Sequence, residues 1–171
     1  SGDKWGTAVG IVAFLLVVGG AFGIILKTGA VESGIYSMIS KSKGSELVLI
    51  PVIFILFSLG GAVFGMGEEA IPFAMLVIPI VIDMGYDSVT GILITYISTQ
   101  IGFATSWMNP FSVAIAQGVS GIPVLSGAGF RIFMWLFFTA FGVIYTIFYA
   151  RRVKRNPESS IAYKTDAYFR D

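Results

Sequence analysis

Two adjacent carboxylates, Glu68 and Glu69, are the residues of this sequence whose type and position most directly indicate chemistry. They lie beside Gly65 and Gly67 and precede Pro72, and long apolar segments flank this turn on both sides. An ionisable group at depth in a membrane is costly and usually functional, whereas at a solvated turn it only offsets a helix dipole. The first case predicts that the two carboxylates bind a cation or an ammonium group, or carry a proton. The second case predicts that they only stabilise the start of a helix.

A second polar segment interrupts the apolar run that follows residue 89. Asn109 followed by Pro110 is typical of an N-cap and the first position of a helix, and Pro72 suits the first turn of another helix. Two helix N-termini that face one region favour a carboxylate there, while unwound carbonyls suit a small cation. The alternative is a capped, kinked helix whose hydroxyls only help packing. The predicted substrate or ion contacts are Glu68, Glu69, Thr99, Gln100, Thr105, Ser106 and Asn109, and close backbone approach is expected at Gly65, Gly67 and Gly102.

Composition places the chain among integral membrane proteins. Of its 171 residues, 56% are hydrophobic and 12% are charged, and its mean hydropathy is +0.85, all far from the globular average. Cysteine and histidine are both absent, which excludes disulfides, thiolate or imidazole metal ligands and the common histidine base. A net charge of +1 gives no argument for a nucleic-acid partner. No cofactor or metal site is predicted, apart from a coupling Na⁺ or H⁺.

The elements that must position these residues are read from apolar runs, turn residues and prolines. The sequence predicts a transmembrane domain over residues 1–155 and a polar tail over 156–171. Within the domain it predicts a span at 6–26, an interfacial helix at 29–46, a re-entrant hairpin at 47–85, a broken helix at 88–118 and a span at 130–150. The predicted fold class is an all-α integral membrane protein with about three spanning helices, a re-entrant helical hairpin and a broken helix.

Orientation follows from the cationic residues that end the last span. Residues 151–155 contain four of them, which predicts that residues 151–171 are cytoplasmic. Lys27, Lys41 and Lys43 are then also cytoplasmic only if segment 47–85 either enters and leaves the membrane on one face or crosses it twice. The short second arm, with Pro72 and Pro79, favours the re-entrant hairpin, and two full spans remain the alternative. Asp83, Asp87 and Arg131 are expected at the membrane interface.

Four sequence segments resemble the YfcC family: residues 6–11, 57–70, 99–111 and 124–127. The resemblance covers essentially the whole chain. It implies a multi-pass protein of the bacterial inner membrane, related to anaerobic C4-dicarboxylate carriers and described as a basic amino acid antiporter. More distantly, the chain is similar to the ion transporter superfamily, whose halves are inverted repeats. This implies one half of an inverted-repeat transporter, with the lipid bilayer, the remaining half of the parent transporter and a second copy in a homodimer as partners.

The resemblance implies a secondary active transporter, ion-coupled or exchanging, for small carboxylate-bearing solutes, with amino acids favoured. A C4-dicarboxylate carrier is the alternative. Sodium–dicarboxylate members of the superfamily have a Ser-Asn-Thr type motif where this sequence has Gly67, Glu68 and Glu69, and two carboxylates repel a dianion. The chain is not expected to be an enzyme. Without histidine, a hydrolase would need a carboxylate pair or a Ser–Lys dyad, and Lys27 lies at a membrane edge. An intramembrane enzyme and a non-transporting scaffold are the remaining alternatives.

Overall fold

The computed structural model describes residues 46–169 and scattered positions between 9 and 37. The chain divides into two compact units, Ser1–Gly44 and Ser45–Asp171. Most described positions of the first unit are helical, but the predicted span at 6–26 and interfacial helix at 29–46 otherwise lie outside the described residues. Across residues 46–169 the chain is helical and contains no strand, which confirms the all-helical class.

The second unit begins with two helices separated by a short break. Helix α1 spans Glu46–Leu59 and continues as a π-helical turn, Gly60–Phe64. Gly65, with φ of 73°, ends it in the left-handed conformation that glycine adopts without a steric cost. Helix α2, Ala70–Asp83, follows and contains Pro79.

The next pair of helices is also interrupted. Helix α3 (Ser88–Ile92) joins α4 (Ser98–Ala104) through a π-helical stretch, Leu93–Ile97, and after a break the π-helical turn Pro110–Ala114 leads into α5 (Ile115–Ser120). Asn109 caps that turn, because its Oδ1 accepts hydrogen bonds from the backbone N–H groups of Phe111 and Ser112. Pro110 occupies the first position, where its missing N–H costs nothing. The cap expected from the Asn–Pro dipeptide is therefore present.

Among the described helices, only α6, Ala128–Arg155, is long and apolar enough to cross a membrane. One face of α6 is buried against the other helices, while the opposite face exposes Phe130, Phe133, Phe137, Phe141 and Phe148. Large apolar side chains exposed in a continuous band mark a surface that contacts lipid or another protein. Three shorter apolar helical stretches are Val48–Phe64, Ala70–Asp83 and Ser88–Ala104.

Helix α1 forms the centre of this unit and packs against α4 and α6. Its inward side chains Phe54, Ile50 and Ile53 are almost fully buried. Ser58, also on α1, accepts a hydrogen bond of 2.9 Å from Trp135 Nε1 and lies 2.9 Å from Thr139 Oγ1. Such hydrogen bonds satisfy polar groups in an apolar core and fix the register of α1 on α6.

The contact between α1 and α4 depends on glycine. A Cβ added to Gly102 would lie 1.8 Å from the carbonyl oxygen of Ser58, and one added to Gly61 would lie 2.1 Å from that of Thr99. Neither position has room for a side chain, so the two backbones touch. This close approach sets the relative position of the two helix breaks that follow.

The segment after α6 folds back on the start of α3. It contains two 3₁₀ turns, Pro157–Ser159 and Thr165–Phe169. The buried carboxylate of Asp166 accepts a 2.8 Å hydrogen bond from the backbone N–H of Ser88. The tail is therefore part of the packed unit rather than a free extension.

Candidate functional site

The two helix breaks meet at a buried serine. Ser106 Oγ donates a hydrogen bond of 2.7 Å to the carbonyl oxygen of Ala62 and accepts one of 2.8 Å from the backbone N–H of Asn109. Ala62 is fully buried and Ser106 nearly so. One hydroxyl thus bridges the π turn after α1 and the break after α4. We call Ala62, Gly65, Ser106 and Asn109 the junction.

Gly65 completes the junction through close contact. A Cβ at this position would lie 2.4 Å from Asn109 Oδ1 and 2.7 Å from the ring of Phe111. With its positive φ as well, Gly65 is a position where no other residue fits without strain.

The Asn109 amide has an unpartnered donor. Its side chain is fully buried, and Oδ1 is fixed by the two backbone N–H groups that it caps. That fixes which amide atom is nitrogen, and Asn109 Nδ2 has no hydrogen-bond partner among the described residues. A buried donor without a partner costs about 1–3 kcal/mol, and nearly all such groups in proteins are paired. The junction therefore offers two N–H bonds to an acceptor from outside these residues.

The hydroxyls predicted as substrate contacts are engaged within their own helix. Thr99 Oγ1 donates to the carbonyl of Thr95, and Thr105 Oγ1 donates to that of Ile101, both at 2.7 Å. Each retains lone pairs that can accept a hydrogen bond or coordinate a cation. Thr99 is fully buried, while Thr105 and Gln100 are half-buried. Their contact with a substrate stays a prediction.

The two glutamates lie in the turn that precedes α2, and both side chains are exposed. Glu69 Oε2 accepts a 3.0 Å hydrogen bond from the backbone N–H of Gly67, which closes the turn on itself. No ion pair joins either glutamate to a cation within the described part of the chain. Both remain open to a cation or proton, and their functional role stays a prediction.

Two cavities flank the break after α4. The larger, about 610 Å³, includes Ile101, Thr105, Ser106 and Arg131 in its lining, and the smaller, about 330 Å³, includes Ser106, Ser112 and Arg131. Both lie within or near the size range of small-molecule sites. Of the residues predicted for the site, Thr105 and Ser106 line a cavity. Arg131 and Ser112 also line a cavity, but the sequence analysis did not predict them as site residues.

Sequence analysis also missed the network around Asp87. Its carboxylate is fully buried. Oδ1 accepts from Thr90 N–H (2.9 Å) and Thr90 Oγ1 (2.6 Å), and Oδ2 accepts from the hydroxyls of Tyr149 (2.7 Å) and Ser160 (2.5 Å). The N-cap role follows from sequence, since Asp87 begins a helix after a glycine turn. The partners on α6 and the tail carry no local sequence signal.

A helical unit with one helix long and apolar enough to cross a membrane, and with two helix breaks joined at a buried polar junction, is typical of integral membrane proteins with interrupted helices. The chain is a member of the DcuC family, described as C4-dicarboxylate anaerobic carriers, whose family model matches residues 1–171. It is therefore a membrane protein of a transporter family.

Two curated relatives support this assignment. The chain is 57% identical over all of its length to a protein of Escherichia coli strain K12 named "Putative basic amino acid antiporter YfcC", and it covers 34% of that protein. It is 32% identical over 95% of its length to an uncharacterized protein of Haemophilus influenzae strain Rd, of which it covers 32%. The chain thus spans about a third of the length of these relatives. No solved structure matches it. The resemblance to the YfcC family is confirmed.

Proposed function

We propose that this chain forms part of a secondary active transporter of the bacterial inner membrane, which moves small carboxylate-bearing solutes by ion coupling or exchange. The observation on which this rests is the buried Asn109 amide, whose Nδ2 lacks a partner among the described residues. A carboxylate oxygen is a suitable acceptor for two N–H donors in a site shielded from water. Helix breaks within a membrane are tolerated where they line a cavity or a substrate pathway, which also supports a transporter.

Amino acids are the favoured substrates. The exposed carboxylates of Glu68 and Glu69 lie in the same break as Gly65, which contacts Asn109, so they are candidates to bind the ammonium group of an amino acid whose carboxylate meets Asn109. The name of the Escherichia coli relative points to the same class of substrate. A C4-dicarboxylate is the second candidate, supported by the description of the family. A dianion would require that Glu68 and Glu69 be protonated or paired with a cation.

We further propose that α1 and α2 form a re-entrant hairpin. Helix α2 has 14 residues, which corresponds to about 21 Å of helix, against about 30 Å of bilayer core. The chain contains no cysteine, so a cysteine at Met66 is the only thiol once any cysteines elsewhere in the full-length protein are replaced. It should resist a bulky impermeant thiol reagent applied from the periplasmic side, and rapid labelling from that side would show that both arms cross.

The test of the proposed function uses the full-length protein that contains this chain, purified and reconstituted in liposomes. Uptake of labelled basic amino acids and C4-dicarboxylates is measured under an imposed ion or solute gradient. Asn109→Asp keeps the capping Oδ1 and replaces the NH₂ group with oxygen, so we expect at least a tenfold loss of uptake.

Asn156→Asp is the matched control, because Asn156 is exposed and lies outside the junction. It should transport like the unmodified protein. Unchanged uptake by Asn109→Asp would remove the Asn109 amide from the site. The absence of saturable uptake of any tested solute by the unmodified protein would contradict the proposed function itself.

A further inference from the structure

Arg131 is a cation without a counter-charge in the described part of the chain. It lies in the first turn of α6, is half-buried, and forms no ion pair with a described carboxylate. The two buried carboxylates of this unit, Asp87 and Asp166, are occupied by the start of α3 and by the tail. A guanidinium group stays charged in any protein environment, so Arg131 can bind an anion that enters the cavities it lines.

The surroundings of Arg131 have the form of a ligand site. Arg131 and Ser106 line both cavities, and the larger one is otherwise walled mainly by Ile101, Phe130, Met134 and Phe138. Apolar walls with a few placed polar groups are typical of sites for small molecules. The larger cavity is open on the side of the exposed Phe130, but its apolar walls lower the local dielectric around the guanidinium, and this strengthens its attraction to an anion.

The cavities are tied to the junction through one residue. Ser106, which lines both cavities, also bridges Ala62 to Asn109. Ser112 lines the smaller cavity, and its hydroxyl forms no hydrogen bond within residues 46–169, so it can donate one to a ligand. A solute held by Arg131 would therefore lie next to the break that carries the unpartnered Asn109 amide.

We propose that Arg131 binds a carboxylate group of the transported solute and that Ser112 donates a hydrogen bond to it. This inference rests on the proposed function and adds Arg131 and Ser112 to Asn109 as donors to the carboxylate. Arginine suits the role because its planar guanidinium forms two parallel hydrogen bonds to one carboxylate. Lysine keeps the charge but loses this paired geometry.

The test compares an amino acid with its carboxamide analogue in the reconstituted full-length protein. Arg131→Gln should raise the KM for the amino acid at least tenfold and leave the KM for the amide unchanged, because only the amino acid has a carboxylate that the guanidinium binds. Arg131→Lys should recover part of the affinity. Arg155→Gln, an exposed arginine at the far end of α6, is the matched control and should leave both values unchanged.

Each other outcome overturns the proposal. The unmodified protein could transport while Arg131→Gln leaves the KM for the amino acid unchanged, or raises the KM for the amino acid and the amide equally. In that case Arg131 does not recognise the carboxylate, and the proposed function stands. If the effect appears only in liposomes with phosphatidylglycerol and vanishes in phosphatidylcholine, Arg131 serves an anionic lipid headgroup. If the unmodified protein transports nothing, the proposed function fails and this inference fails with it.

A measurement on the unmodified protein covers the case in which the variants do not fold. Phenylglyoxal modifies accessible arginines, and mass spectrometry reports its reaction at Arg131. The amino acid should slow this reaction at least threefold while the amide analogue does not. Equal rates with and without the amino acid would overturn the proposal.

Discussion

Replacing Gly102 with alanine tests whether the contact between α1 and α4 is as close as the structure shows. The new methyl carbon would lie 1.8 Å from the carbonyl oxygen of Ser58, whereas real Cβ atoms essentially never approach closer than 3.0 Å. The helices must therefore separate by about 1 Å or more, and the obstacle is backbone, which cannot rotate away. Overpacking of this kind costs about 1–3 kcal/mol. Alanine returns up to about 1 kcal/mol through its better helix propensity, so we expect a net loss of about 1–2 kcal/mol of unfolding free energy.

The assay is thermal unfolding of the purified full-length protein in detergent, followed by circular dichroism. Gly118→Ala is the matched control: Gly118 is also helical, and a Cβ there meets nothing within 4 Å. It should hold or slightly raise the melting temperature, while Gly102→Ala lowers it by several degrees. Because the same contact positions the junction, Gly102→Ala should also reduce uptake. A melting temperature for Gly102→Ala at or above that of the unmodified protein would refute the close contact.

Two further predictions concern carboxylates. Glu68→Gln and Glu69→Gln should reduce uptake and leave the melting temperature unchanged, since both side chains are exposed and neither pairs with a described cation. Normal uptake with a lower melting temperature would show that the two carboxylates only stabilise the N-terminus of α2 through its dipole. Asp87→Asn should cost about 2–3 kcal/mol of unfolding free energy, because an amide NH₂ would face hydrogen-bond donors in a buried site. The exposed Asp83→Asn is its control, and equal chemical-denaturation curves for both variants would contradict the Asp87 network.

Local chemistry made parts of this architecture predictable from the sequence. Asn109 before Pro110 indicated a helix start, and the structure has the cap there, because an Asx cap depends on residues within three positions. The apolar composition indicated a membrane protein, and the family match confirms that class.

Contacts between distant residues were not predictable in the same way. Ser106 reaches Ala62 across 44 positions, and no local pattern indicates which carbonyl a buried serine will find. Gly102 was expected to allow close approach, but its partner Ser58 is set by helix packing. Arg131 was expected at the membrane interface on charge alone. Its place in two cavities depends on α4 and α5, which lie elsewhere in the sequence.

The central claim, that the junction binds the carboxylate of a transported solute through Asn109, is tested most directly by ligand-induced stabilisation of the purified full-length protein. A ligand at about a hundred times its Kd stabilises the native state by about 2.7 kcal/mol, which is readily measured as a rise in melting temperature. The unmodified protein and Asn156→Asp should both show this rise with a basic amino acid or a C4-dicarboxylate. Asn109→Asp should show no rise with the ligand, measured against its own melting temperature without ligand. Equal stabilisation of Asn109→Asp by the same ligand would contradict the account.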